Sequence, residues 1–360
     1  MDNIESKTIT PSGKRPRELG LEILRILAMF FIVCQHFLNH GKILAHDSDN
    51  LLLGLINALF APSVNVFILI SGYFSAGSRK FKLGKILSLW ARVFFYSVLM
   101  LLVALAFGVE IGAWDVFRSL FPLLYKRYWF FTAFVILMLL TPFISAMLSS
   151  ISKKEHLALV IGTFVCGYLS TRFAITDVIA VKSGYSVLWF CLLFIVGAYL
   201  KKYPIKVKKW AVFLVYAACT GIMMFFKYFL NDTSNFGIRL IYTSTDYTQP
   251  ITLLASVCLL LLFLGINSNG SLLHRLITYI GSLTFGVYLI HEAPLFRSTL
   301  YHTIFSVESY YGSALAPLFV LLFALITFAA CCIVDTGRDY LFRGATALVR
   351  RIKKRKGAAE

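Results

Sequence analysis

The sequence predicts an all-α, polytopic membrane protein of about ten transmembrane helices with both termini in the cytoplasm. Three observations carry this. The 360 residues are 59% hydrophobic and only 14% charged, where a soluble domain averages roughly 45–50% apolar and about 25% charged. The apolar residues fall into blocks of about 20, the length a helix needs to cross a bilayer. The basic residues are sorted by side. With the N-terminus placed in the cytosol, the inner segments hold 24 of the 35 Lys and Arg and the outer segments hold 8. That asymmetry is the positive-inside signature.

The candidate spans lie near 21–40, 51–76, 86–108, 128–148, 157–172, 187–200, 210–230, 251–267, 276–296 and 313–336. A basic cytoplasmic tail (1–20) precedes this domain (21–336), and a second basic tail (337–360) follows it. The first span has no small-residue cleavage site behind it and reads as a retained signal anchor. The formal charge of +18 is then mostly a topology label, helped by anionic inner-leaflet lipid, and nucleic acid is not an expected partner. All seven cysteines lie within apolar spans and read as small buried hydrophobes.

The first span, LEILRILAMFFIVCQHFLNHG, carries Glu22, Arg25, His36, Asn39 and His40 in an apolar run. Eleven residues turn a helix by about 1100°, within ~20° of whole turns, and rise about 16 Å. Arg25 and His36 stand at that spacing, so they share a face at opposite depths. Glu22 and Arg25 suit an ion pair near the cytosolic side, and His40 suits outer headgroups. An imidazole as deep as His36 normally faces a protein interior or a cavity.

The second span descends and ends FILISGYFSAGSRK, which puts Ser71, Gly72 and Tyr73 at about the depth of Arg25. Lys85 follows in a basic loop, and Arg92 lies about two turns into the third span. Two intramembrane arginines at one depth suit an inward-opening anion pocket. Ser71 suits either a hydrogen bond to an anionic ligand's body or close packing on the first helix.

The fourth span opens with Tyr128 and Trp129. Tyr128 suits an interfacial aromatic belt, while Trp129 suits either that belt or stacking on a sugar. The outer loop at 231–250 is rich in Asp, Asn, Thr and Tyr, which suits carbohydrate or solvent. The ninth span rises to His291 and Glu292, with Pro294 just beyond. They reach roughly the depth of His36, and either can fix the tautomer and basicity of that imidazole. No nucleophile elbow of the Gly-x-Ser-x-Gly type is present. No metal-ligand motif is read from the spacings, and no metal is expected.

With these residues in order, the chain resembles the acyltransferase-3 family of integral-membrane acyltransferases, in particular stand-alone members that O-acylate bacterial surface polysaccharides. The resemblance rests on RILAMFFIVCQH (Arg25 to His36), FILISGY (Phe67 to Tyr73), Trp129-Phe130 and YLIH (Tyr288 to His291). Glu22 departs from the Asp usual in the family but keeps the charge. The stretch before Arg92 is less Arg-rich than in many relatives.

The resemblance implies an acyl-CoA donor, usually acetyl-CoA, arriving from the cytosol in a bacterial plasma membrane. The acyl group then passes to a hydroxyl of a cell-surface or lipid-linked polysaccharide. The family's essential pair maps onto Arg25 and His36, with Glu22 beside them. Arg25, Ser71, Tyr73, Lys85 and Arg92 are the expected donor-binding residues. Trp129, His291 and Glu292 are expected on the acceptor side or in support of His36. His36 acts either as general base on the acceptor hydroxyl or as a nucleophile that carries the acyl group.

Two other classes stay open on the residues alone. A transporter or flippase would use the buried Arg, Glu and His for proton coupling, though no repeat pairs the two halves. A membrane scaffold leaves His36 without a role. A homo-oligomer is compatible with the acyltransferase reading and with both of these.

Overall fold

The structure is a computed structural model describing residues 18–123, 128–172, 182–230, 245–267 and 272–356. The N-terminal tail through residue 17, Lys126, Arg127, residues 231–244 of the outer loop and the last four residues lie outside the described residues.

Among the described residues the chain is helical, with no strand. The helices are α1 (Leu19–Asn39), a short α2 (Ile43–His46), α3 (Leu51–Phe60), α4 (Ser63–Ser75), α5 (Leu83–Ala106) and α6 (Ala113–Leu120). They continue as α7 (Trp129–Ser150), α8 (Lys153–Arg172), α9 (Val187–Lys202), α10 (Lys209–Phe225), α11 (Pro250–Phe263), α12 (Leu272–His291) and α13 (Ala316–Lys356).

Each predicted span coincides with helix, and seven stretches are long and apolar enough to cross a membrane. These are α1, α3 with α4, α5, α7, α10 extended to Phe229, α12 and α13. The other three fall short for visible reasons. Lys153, Lys154 and Glu155 occupy the first turn of α8, while α9 has 16 residues and α11 has 14.

The second predicted span is two helices, broken at Ala61-Pro62. Proline has no N–H to continue the ladder, and the interruption leaves a carbonyl that needs a donor. The Tyr216 hydroxyl of α10 donates to the Leu59 carbonyl at 2.6 Å. At the other end of α3 the Asn50 side chain accepts from the Leu52 and Leu53 amides at 3.1 Å each, an ordinary N-cap.

Helix α1 lies at the centre, packed against α3, α4, α11, α12 and α13. Leu21, Leu24 and Ala28 join one core with α4, α9 and α11, while Val33, Phe37 and Leu38 join another with α12 and α13. Protein therefore covers both flanks of α1. Its polar stripe is left to face an internal space and not lipid, which is the arrangement that lets ionisable groups persist at depth.

Two glycines set the closest crossing. A Cβ on Gly72 of α4 would stand 2.2 Å from the Phe194 carbonyl oxygen of α9, and one on Gly197 of α9 would stand 2.2 Å from that of Leu69. Only hydrogen fits at both places.

The last helix runs without a break past residue 336 to Lys356. Arg338, grouped by sequence with the inner basic residues, is instead 4% exposed. It makes a two-pronged pair with Asp335, Nε to Oδ1 at 2.9 Å and Nη2 to Oδ2 at 2.8 Å. The Tyr96 hydroxyl of α5 donates to the same carboxylate at 2.7 Å. Gly286 of α12 makes room for it, because a Cβ there would lie 2.2 Å from the Asp335 carboxyl carbon. All seven cysteines are free thiols, and Cys166 is exposed on α8 where burial was expected.

Candidate active site

The polar stripe of α1 opens into one cavity of about 1210 Å³. Arg25, Ser71, Lys85 and Arg92 line one part of it, and His36, His40, Glu292 and Arg297 line another. Met29, Ile32 and Gln35 of α1 lie on its wall between Arg25 and His36. The helical rise between those two residues is about 16 Å, so the cavity extends along the length of α1.

At the Arg25 end, Arg25 Nη1 donates to Glu22 Oε1 at 2.7 Å. Glu22 is 1% exposed, and its space is provided by Gly281 of α12, where a Cβ would come within 2.5 Å of Oε2. The guanidinium also lies 5.4 Å from the centre of the Phe74 ring. The Glu22 carboxylate faces Arg25, and Arg92 and Lys85 bring two further basic side chains to this end of the cavity. The Ser71 hydroxyl donates to the Phe67 carbonyl at 2.9 Å. Tyr73 does not line the cavity. Its ring instead lies under the Lys201 ammonium at 4.3 Å, because it projects toward α9 and not toward α1.

The His36 end is a cluster of five side chains. His36 Nδ1 lies 2.9 Å from His291 Nε2 and 3.1 Å from Glu292 Oε2. His40 Nε2 lies 3.3 Å from the same carboxylate oxygen, and Arg297 Nη1 binds the other oxygen at 2.8 Å. His291 Nδ1 lies 2.6 Å from the Val287 carbonyl. A carbonyl only accepts, so Nδ1 of His291 carries its proton and, in a neutral ring, Nε2 presents a lone pair. His36 Nδ1–H donates to that lone pair. The remaining His36 nitrogen, Nε2, is then the basic one. The arrangement is an imidazole oriented by a hydrogen-bond acceptor and a nearby carboxylate, the general form of an activated base.

Trp129 lines the cavity, with Tyr185 and Phe190 rings 4.6 and 5.8 Å away. Tyr128 is not an interfacial belt residue. It is 1% exposed and its hydroxyl donates to the Leu289 carbonyl at 3.0 Å, so it ties α7 to α12.

Of the expected residues, all but Tyr73 border the cavity or bond to one that does, Glu22 through Arg25 and His291 through His36. Two members of the cluster were not expected. His40 was read as a headgroup residue, although His36 and His40 stand at the His-x-x-x-His spacing that places two imidazoles on one helix face. Arg297 was counted only as an outer basic residue. Its approach to Glu292 follows from the turn after α12, which sequence periodicity does not describe.

Comparison with protein families decides the class. The acyltransferase-3 model, described as an acyltransferase domain, matches residues 18–336. The chain belongs to the acyltransferase-3 family. No curated protein and no solved structure shows a significant match. The match covers nearly the whole chain, including every residue that lines the cavity. A multi-pass membrane acyltransferase is therefore the setting in which the acyltransferase-3 cavity and its histidine cluster are to be understood.

Proposed function

We propose that the protein is an acyl-CoA-dependent O-acyltransferase of a bacterial plasma membrane. It moves an acyl group, acetyl in the first instance, onto a hydroxyl of a cell-surface or lipid-linked polysaccharide. The observation that carries this reading is the cavity shared by a cationic end and a histidine end.

Coenzyme A is polyanionic, so its phosphates suit the end lined by Arg92, Lys85 and Arg25. Its long pantetheine arm would follow α1 toward His36. The acceptor sugar would approach the opposite end, where Trp129 and Tyr185 offer aromatic faces. A sugar hydroxyl is a weak nucleophile at neutral pH and needs a base as its oxygen attacks. In this scheme His36 Nε2 takes that proton while the oxygen attacks the thioester carbonyl. The C–S bond then breaks, the ester forms, and the coenzyme A thiolate recovers the proton from the imidazolium. Glu292 lies beside the ring that becomes positively charged and would stabilise it. No step is assigned to His40.

The reading is tested on the product. In cells carrying the protein, NMR of the surface polysaccharide should show an ester that is lost when the protein is deleted and returns with the wild-type chain. An unchanged ester pattern would refute the glycan as acceptor.

A further inference from the structure

We infer that His36, His40 and Glu292 form a binding site for a divalent transition metal of the Zn2+ class, and that an ion held there silences acyl transfer. One donor atom from each of the three residues lies within 4.8 Å of the other two. Glu292 Oε2 is 3.1 Å from His36 Nδ1 and 3.3 Å from His40 Nε2. Ligands at about 2.0–2.1 Å around a tetrahedral Zn2+ stand roughly 3.3 Å apart, so the donors need little movement to close on an ion. Two imidazoles and one carboxylate are a donor set that Zn2+ favours over hard cations such as Mg2+ or Ca2+.

The spacing and the support are those of a built site. His40 is the C-cap of α1, one turn after His36, which puts both rings on one face. The partner Glu292 is held from its far side by Arg297 at 2.8 Å. All four side chains line the cavity, which has room for a water or hydroxide as a further ligand. His291, with its Nδ1 on the Val287 carbonyl, keeps a lone pair directed at the His36 nitrogen. That contact engages the same nitrogen an ion would take, so binding has to displace it. Arg297 partly offsets the carboxylate charge, so it tempers the affinity without occupying the same oxygen.

Metal binding and catalysis use the two nitrogens of His36 in opposite senses. An ion on Nδ1 replaces the hydrogen bond to His291, and the ring proton moves to Nε2 with no net proton released. The nitrogen that accepts the sugar proton in the proposed reaction is then already protonated. Bound metal therefore removes the base without changing the fold. The inhibition rests on the acyl-transfer reading, whereas the binding does not.

The two are measured separately on the purified full-length protein. Co2+ is the first probe, read by the visible bands of tetrahedral coordination in the absence of substrates, and Zn2+ is then titrated to displace it. The expected result is one ion per chain for the wild type. His40→Gln and Glu292→Gln should each weaken binding about tenfold or more, since even outer-shell changes at metal sites cost that much. Zn2+ should then stop acyl-CoA turnover by the wild type, and a chelator should restore it. Equal affinity in the wild type and both variants would overturn the site. Full turnover with the site saturated would overturn the shared use of His36. Failure of binding leaves the acyl-transfer reading intact, and absence of turnover in metal-free wild type refutes that reading without touching the binding result.

Discussion

At the scale of single residues, the site depends on which nitrogen of His36 holds its proton. The chain of contacts Val287 carbonyl, His291, His36 leaves Nε2 basic, and Glu292 stands where positive charge would develop. Glu292→Gln keeps the side-chain size and removes the charge. We expect turnover to fall about 10²–10⁴-fold with donor KM little changed, as for other carboxylates that orient and stabilise a catalytic imidazole. Steady-state kinetics with varied acyl-CoA would check this, and full turnover would remove Glu292 from the reaction. His36 and Arg25 were legible from one helix alone, because a spacing of eleven closes nearly whole turns. Glu292 was legible as a partner by depth, since both residues lie near the same end of their spans. Arg297 was not, because its approach depends on how the chain turns after α12, which periodicity does not encode. His40, by contrast, shares the His36 face by its spacing of four and was passed over as a headgroup residue.

At the scale of elements, two small residues decide how closely α4 and α9 approach. Replacing Gly72 by Ala would gain up to about 1 kcal/mol in helix propensity. That gain is offset by a Cβ only 2.2 Å from the Phe194 carbonyl oxygen, and overpacking of this kind costs about 1–3 kcal/mol. Gly221 of α10 is the control, since a Cβ there meets nothing within 4 Å. Thermal melts of the purified protein should show Gly72→Ala destabilised and Gly221→Ala unchanged or more stable. Equal melts would mean that the crossing is looser than described. The helices themselves were readable from apolar blocks, yet the second block proved to be two helices. Pro62 signals such a break, but the surrounding hydrophobicity masked it. Arg338 was grouped with the basic tail for a similar reason, while Asp335 fell at the end of the last predicted span. Their charges argue for water, while the pairing with Tyr96 and the space at Gly286 keep them inside.

At the scale of the whole molecule, the feature that matters is one that no single segment contains. The cavity is walled by α1, α3, α4, α5, α7, α10 and α12 together. The sequence pointed to its two ends, a cationic pair of spans and a deep histidine, because those residues are costly in hydrocarbon. Their connection is a product of packing and became visible only in the fold. In the proposed reaction the two ends do different work, one holding the donor and the other moving a proton. The most direct measurement of that division is acyl-CoA turnover by His36→Ala in proteoliposomes carrying a glycan acceptor, with insertion and donor KM followed in parallel. The account predicts normal insertion, donor KM close to wild type and turnover reduced about 10²–10⁴-fold. Wild-type turnover in His36→Ala would contradict it.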